Sequence, residues 1–150
     1  MGDFAGAKAA IRQRLIDNWT ETPITFQNEP TPTPWPPKDA DGFPTGFVNL
    51  ELSTQPASMR GAGQPGSQVW INPGFIYVHV FEPSGTGEAA ATQRATAIGE
   101  IFRGKVFYET GDGCYVRTWA PRVDGGGSGS DDGNWFRVTM SVPFAYWHLG

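Results

Sequence analysis

Residues 81–93, FEPSGTGEAAATQ, have the local order of a phosphate-binding loop: an apolar run, a glycine bend, then an alanine-rich segment. A nucleotide cradle of the Gly-x-x-x-x-Gly-Lys-Ser/Thr type needs its lysine on the β/γ phosphates and its hydroxyl on Mg²⁺. Here Glu88 follows Gly87 and puts a carboxylate where a phosphate would sit. A dinucleotide fingerprint would run Gly-x-Gly-x-x-Gly into a βαβ unit with a later acidic residue. This loop ends at Ala90, and no convincing strand precedes Glu109. The glycines therefore read as a tight strand-to-helix turn, and no cofactor is expected.

Cys114, His79 and Asp112 supply the residue types of a thiol enzyme, a nucleophile, a base and an orienting carboxylate. A lone thiol on a strand more often packs as a small hydrophobe, and a mid-strand histidine more often packs or hydrogen-bonds than acts as a base. No spacing of His, Cys and Asp resembles a metal ligand set. Asp131-Asp132 among glycines lacks the regular oxygen positions of a calcium loop and reads as a solvated acidic tip. No catalytic, cofactor-binding or metal residue is expected. Trp35, Trp70, Trp119, Trp135 and Trp147 remain. They could stack sugars or a peptide, or serve as anchors at subunit contacts, where Trp is enriched.

The chain of 150 residues is long enough for one core, and a single domain over 1–150 is expected. Hydrophobic residues are 39 % but aromatic ones 13 %, so large rings can supply much of the buried area. Twenty glycines and 13 prolines cluster between the apolar runs and imply long irregular loops. A net charge of −4 with only 11 Lys and Arg argues against a protein that grips nucleic-acid phosphates. The single cysteine excludes an internal disulfide. With no signal peptide and no long apolar stretch, a soluble product away from membranes is expected.

Residues 3–19 predict an amphipathic helix with Phe4, Ala7, Ile11, Leu15 and Trp19 on one stripe and Asp3 as N-cap. Residues 24–28 fit a short strand. Residues 29–42 carry five prolines and read as an extended surface segment anchored by Trp35. Val48, Leu50 and Leu52 alternate on a half-buried strand over 47–53. A long polar loop fills 53–68, and a strand region over 69–81 is expected to break at Pro73-Gly74. Beyond it, Phe75, Tyr77, His79 and Phe81 share one face and Ile76, Val78 and Val80 the other, so both faces are largely apolar. A second helix over 86–103 is predicted with Thr86 as N-cap and Gly104 just past its end. Strands follow near 114–119 and 135–146, with Pro143 expected at an edge, joined by a flexible acidic segment over 124–134. The class is α+β: a mostly antiparallel sheet packed against two helices, with long Pro/Gly-rich loops.

This element order, with WINPGFIYVHVFEPSGTGEAAATQRATAIGEIF at its centre (residues 70–102), resembles the tail terminator proteins of long-tailed, lambda-like phages and of gene transfer agents. The resemblance in element order spans nearly the whole chain, and its specific part is Gly74 to Phe102. It implies a structural virion protein without catalytic residues: a hexameric ring that caps the head-proximal end of the tail tube and forms the joining surface for the head. Partners would be further copies of the chain, the major tail tube protein and the head–tail connector. DNA would pass through the lumen without specific binding. Trp35, Phe43, Trp70, Phe75, Tyr77, Trp135 and Trp147 are the candidate contact residues. Asp124, Asp131 and Asp132 would form an acidic loop facing the lumen. A head–tail connector, a minor tail protein and a monomeric Trp-based binding module are the alternatives.

Overall fold

The computed structural model describes every residue except Met1, Ala62, Asp112, Asp131 and Asp132. Helix α1 (Phe4–Asn18) forms where the apolar spacing predicts it. Ala7, Ile11 and Leu15 recur every four residues and are fully buried, with Trp19 packed just beyond the last turn. Asp3 caps the helix by accepting from the Gly6 N–H at 2.9 Å, which satisfies one of the first-turn donors left without an intrahelical partner. The cap is tied to the far end of the chain, because the Asp3 N–H donates to the Tyr146 hydroxyl at 2.9 Å. The Tyr108 hydroxyl donates to the Asp3 carboxylate at 2.7 Å.

These bonds set two titrations. The Gly6 N–H, and after it Tyr108, hold the Asp3 carboxyl below its ordinary range. The bond to Asp3 pushes Tyr108 up to about 12. A depressed carboxyl stabilises the fold above its unfolded value and loses that contribution as pH falls through its folded one. A raised phenol stabilises below its ordinary 10.0 and loses the contribution as pH rises to about 12. Phenolate absorbance followed into alkali should therefore show a late-ionising tyrosine that Tyr108→Phe removes. An unchanged curve in that variant would overturn the assignment.

Among the described residues nine strands build one sheet: β1 (Ile24–Phe26), β2 (Phe47–Thr54), β3 (Ser58–Arg60), β4 (Val69–Pro83), β5 (Val106–Phe107), β6 (Tyr115–Thr118), β7 (Arg122–Val123), β8 (Gly127–Ser128) and β9 (Trp135–Leu149). Helix α2 (Ala89–Phe102) lies between β4 and β5 in the chain. The order across the sheet is β1-β2-β4-β9-β6-β5, with β3 also on β4 and with β7 and β8 also on β9. Strands β1 and β2 run parallel; the other pairs among the described residues are antiparallel, so the class is α+β as expected. The long β4–β9 ladder is the spine. Val48 and Leu50, then Ile76, Val78 and Val80, then Val138, Met140 and Val142 bury their side chains on one face, as a period of two requires. Ala91, Ala95, Ile98 and Phe102 of α2 and the stripe of α1 close over that face in one hydrophobic core.

Four local expectations are corrected. Strand β4 runs unbroken through Pro73 and Gly74. The Pro73 carbonyl accepts from the Gln55 N–H at 2.9 Å, and N and O of a strand residue point to the same side. The missing donor of Pro73 therefore faces the gap between β2 and β3, and the β9 ladder loses no rung. Pro143 likewise sits inside the central strand β9, not at an edge. Its carbonyl accepts from the Trp119 N–H at 3.1 Å, so its donorless side faces the gap between β6 and β7. Thr86 does not cap α2; its hydroxyl donates to the Pro83 carbonyl at 2.7 Å, and Glu88 holds the cap position without a side-chain bond. Gly104 does stand past the helix end, at φ 57°. Finally, the start of the 124–134 segment is pinned rather than loose. It carries β8, and the Asp124 carboxylate accepts from the N–H groups of Gly126 and Thr139, each at 3.0 Å.

Candidate interaction face

Helices α1 and α2 pack on the same side of the sheet, so alternation turns the other residues of β2, β4 and β9 toward the opposite side, which no helix among the described residues covers. Along β4 the rings of Phe75, Tyr77, His79 and Phe81 stand in a row, with successive centroids 6.0, 6.3 and 6.5 Å apart. Phe47 of β2 stacks on Phe81 at 4.8 Å and meets Trp35 at 4.5 Å and Trp135 at 5.0 Å edge-on. Trp35 thus folds the proline-rich segment back onto the open face. The rings half-bury one another, yet Phe75 remains 36 % and Trp35 37 % exposed.

His79 ties three strands together across this face. Its Nε2 lies 2.8 Å from Glu51 Oε2 on β2, and its Nδ1 lies 2.8 Å from Thr139 Oγ1 on β9. A carboxylate only accepts, so Nε2 carries the proton and a neutral ring accepts from the Thr139 hydroxyl at Nδ1. Cys114 is buried in the core on the helix side, so the thiol and the imidazole stand on opposite faces of the sheet and form no pair. Asp112 lies outside the described residues. Among those described, no cluster of His, Cys, Asp and Glu is placed to hold a metal ion.

At the glycine turn, Gly85 and Gly87 adopt φ near 87° and 86°, a left-handed backbone that side chains resist. Their role is geometric, as the sequence suggests. At the Phe75 end, the open face sinks into a groove of ≈ 350 Å³ lined by Ile71, Pro73, Phe75, Trp119, Pro143 and Trp147. Tyr115 stacks on Trp147 at 5.7 Å, and the Arg117 guanidinium lies 5.1 Å from the Trp119 ring centre.

Of the candidate contact residues, Trp35, Phe75, Tyr77, Trp135 and Trp147 come together on this face. Trp70 does not; it points to the helix side, where its indole N–H donates to the Gly150 carbonyl at 3.1 Å. Phe43 stands apart on a loop tip, 67 % exposed. Asp124 is spent on the loop bonds described above, and Asp131 and Asp132 lie outside the described residues. Phe47 and Phe81 are not among the candidate contact residues, and Trp119 enters there only with the other tryptophans. The outward parity of Phe47 was readable from Val48 and Leu50, whereas nothing local marks Trp119.

Helices on one side and a row of aromatic rings, joined by the polar His79–Glu51–Thr139 link, on the other define an α+β domain whose most distinctive feature is an open, ring-rich sheet face. A family model described as phage tail terminator protein matches residues 7–144, and the chain belongs to that family. It is a structural component of a phage tail, in keeping with the resemblance drawn from residues 70–102. No curated protein matches it in sequence. A solved structure whose name describes no function is similar over 100 % of this chain and 99 % of its own, with TM-score 0.68 and 20 % identity, a likeness of fold. No helix among the described residues is long and apolar enough to cross a membrane.

Proposed function

We propose that the chain assembles into a homohexameric ring that caps the head-proximal end of the tail tube, ends its polymerisation and presents the joining surface for the head. The observation that carries this reading is the bare aromatic face. A sheet face that leaves large rings such as Phe75 and Trp35 exposed supports an interaction site, since the centre of an interface is rich in Tyr, Trp and Phe. Its partners are then further copies of the chain, the major tail tube protein and the head–tail connector. DNA then passes through the channel of the ring without specific binding.

Electron microscopy and light scattering of the purified protein, alone and with tail tubes, test the ring directly. Deleting the protein should yield overlong tails; tails of normal length that fail to join heads would favour the connector reading instead. Tyr77→Arg sets a charge in the middle of the ring row and should weaken assembly by about 100-fold, as loss of a central anchor does. The melting temperature of the dissociated protein should barely move. Unimpaired rings in that variant would remove this face from the assembly contacts.

A further inference from the structure

The exposed Phe43 sits on a tip that the chain stiffens from within. The Thr45 N–H donates to the Pro37 carbonyl and the Asp39 N–H to the Phe43 carbonyl, each at 2.9 Å, and the Gly42 N–H reaches the Asp39 carbonyl at 3.0 Å. The Asp39 carboxylate accepts from the N–H groups of both Asp41 and Phe43 at 2.9 Å, an Asx turn that presents the ring outward. The result is an apolar knob flanked by the carboxylates of Asp39 and Asp41, with Lys38 at its base. At 67 % exposure Phe43 contributes little to the core, so a held, projecting ring has no use within the monomer.

The groove at the other end of the open face has the opposite character. Beside Gln55 and Arg60 its lining is apolar, and no carboxylate among the described residues lines it. Arg117 lies alongside over Trp119, itself 38 % exposed. Among the described residues, neither Arg60 nor Arg117 is paired with a carboxylate. The tip enters the sheet at Phe47, whereas the groove opens beside Phe75, which faces Ser53 six residues along β2. At ~3.3 Å per residue this is about 20 Å. The point where the tip joins the sheet and the groove therefore stand at opposite ends of the same face.

We propose that Phe43 of one copy seats in the groove of a second copy, with Asp39 and Asp41 set against Arg60 and Arg117. The contact joins two different patches, so it is head-to-tail and propagates from copy to copy until a ring closes. It rests on the ring reading for that closure alone. The shape and charge of the contact stand on the knob and the groove.

The test uses the full chain. One copy carries Phe43→Cys and a second carries Gln55→Cys at the groove, and the two are mixed and oxidised. An intermolecular disulfide should form only when both are present, the native Cys114 being buried. Separately, Phe43→Ala and Arg60→Asp should each weaken self-association by about tenfold or more. Asp41→Arg combined with Arg60→Asp should restore it. Circular dichroism confirms folding, which an exposed tip residue leaves unchanged. Rings without the cross-link, or intact rings with Phe43→Ala that fail only to bind tail tubes, would overturn the contact and leave the ring standing. Cross-linked open chains without rings would support the contact and remove the ring. Neither rings nor cross-link would remove both.

Discussion

Gly74→Val is expected to lower the stability of the fold by about 3 kcal/mol, in the range of overpacking a tight core. In a domain of this size that is roughly 6–12 °C in melting temperature. Gly74 lies in the central strand β4, between Thr54 of β2 and Phe144 of β9, and alternation turns its missing side chain toward the helices. The Phe144 ring, 1 % exposed, fills that space. A Cβ at Gly74 would overlap the Ser53 carbonyl oxygen and come within 2.8 Å of the Phe144 ring. Neither neighbour is a flexible end that can swing away: one is backbone in a paired strand and the other is locked in the core. The β propensity of valine does not offset a clash on both sides. Gly63→Ala is the control, since a Cβ there meets only ordinary contacts from 3.4 Å outward. It should stay within about 0.5 kcal/mol. If Gly74→Val melts with the native protein, the close approach of β2 and Phe144 is not a constraint on the fold. A partial rescue by adding Phe144→Leu would identify the ring as the larger of the two obstacles.

The same glycine shows where sequence reading stops. The alternation from Phe136 to Tyr146 and the stripe of α1 are visible in the sequence because burial repeats every two or about 3.6 residues, and both elements appear where that period puts them. Pro73 is also visible as a residue without a donor, but not the side on which the donor is missing. That side is set by the register with Gln55, eighteen positions earlier, and by the end of β2. Thr86 fails as a cap for a related reason. A hydroxyl chooses between an N–H ahead and a carbonyl behind according to the turn's dihedral angles, here bent by Gly85 and Gly87 toward the Pro83 carbonyl. On the open face, the row from Phe75 to Phe81 follows from parity alone. Trp35 and Trp70 could not be separated in the sequence, because one reaches its place through an irregular proline-rich segment and the other through the β4–β9 register. The groove needed Trp119 and Trp147, which come from segments with no local relation. Periodicity encodes faces; it does not encode which loops return to them.

Arg94→Ala is expected to cost about 2–4 kcal/mol, close to the penalty for leaving one member of a buried pair alone and reduced for the partial exposure of the guanidinium. Glu82 is 6 % exposed at the end of β4, on the side that the helices cover, and its carboxylate is paired with Arg94 of α2. Glu21, 3.9 Å from Arg94 and 65 % exposed, is too hydrated to take its place. The pair does more than join α2 to the sheet. A Cβ at Gly46 would lie 2.6 Å from Glu82 Oε1 and 2.7 Å from Arg94 Nη1, so the two side chains close directly over that backbone. They clamp the end of the proline-rich segment one residue before Phe47, the ring on which Trp35, Phe81 and Trp135 converge. Losing Arg94 should therefore register on the opposite side of the sheet, as a red shift in Trp fluorescence when Trp35 lifts off Phe47. Replacing both partners, Arg94→Leu with Glu82→Leu, removes the unpaired charge as well as the bond and should recover most of the loss. That recovery separates an ion pair required for its own attraction from one required because its acid cannot be buried alone. Strictly additive single and double variants would mean that the pair is not coupled, and the clamp on Gly46 would then rest on packing alone.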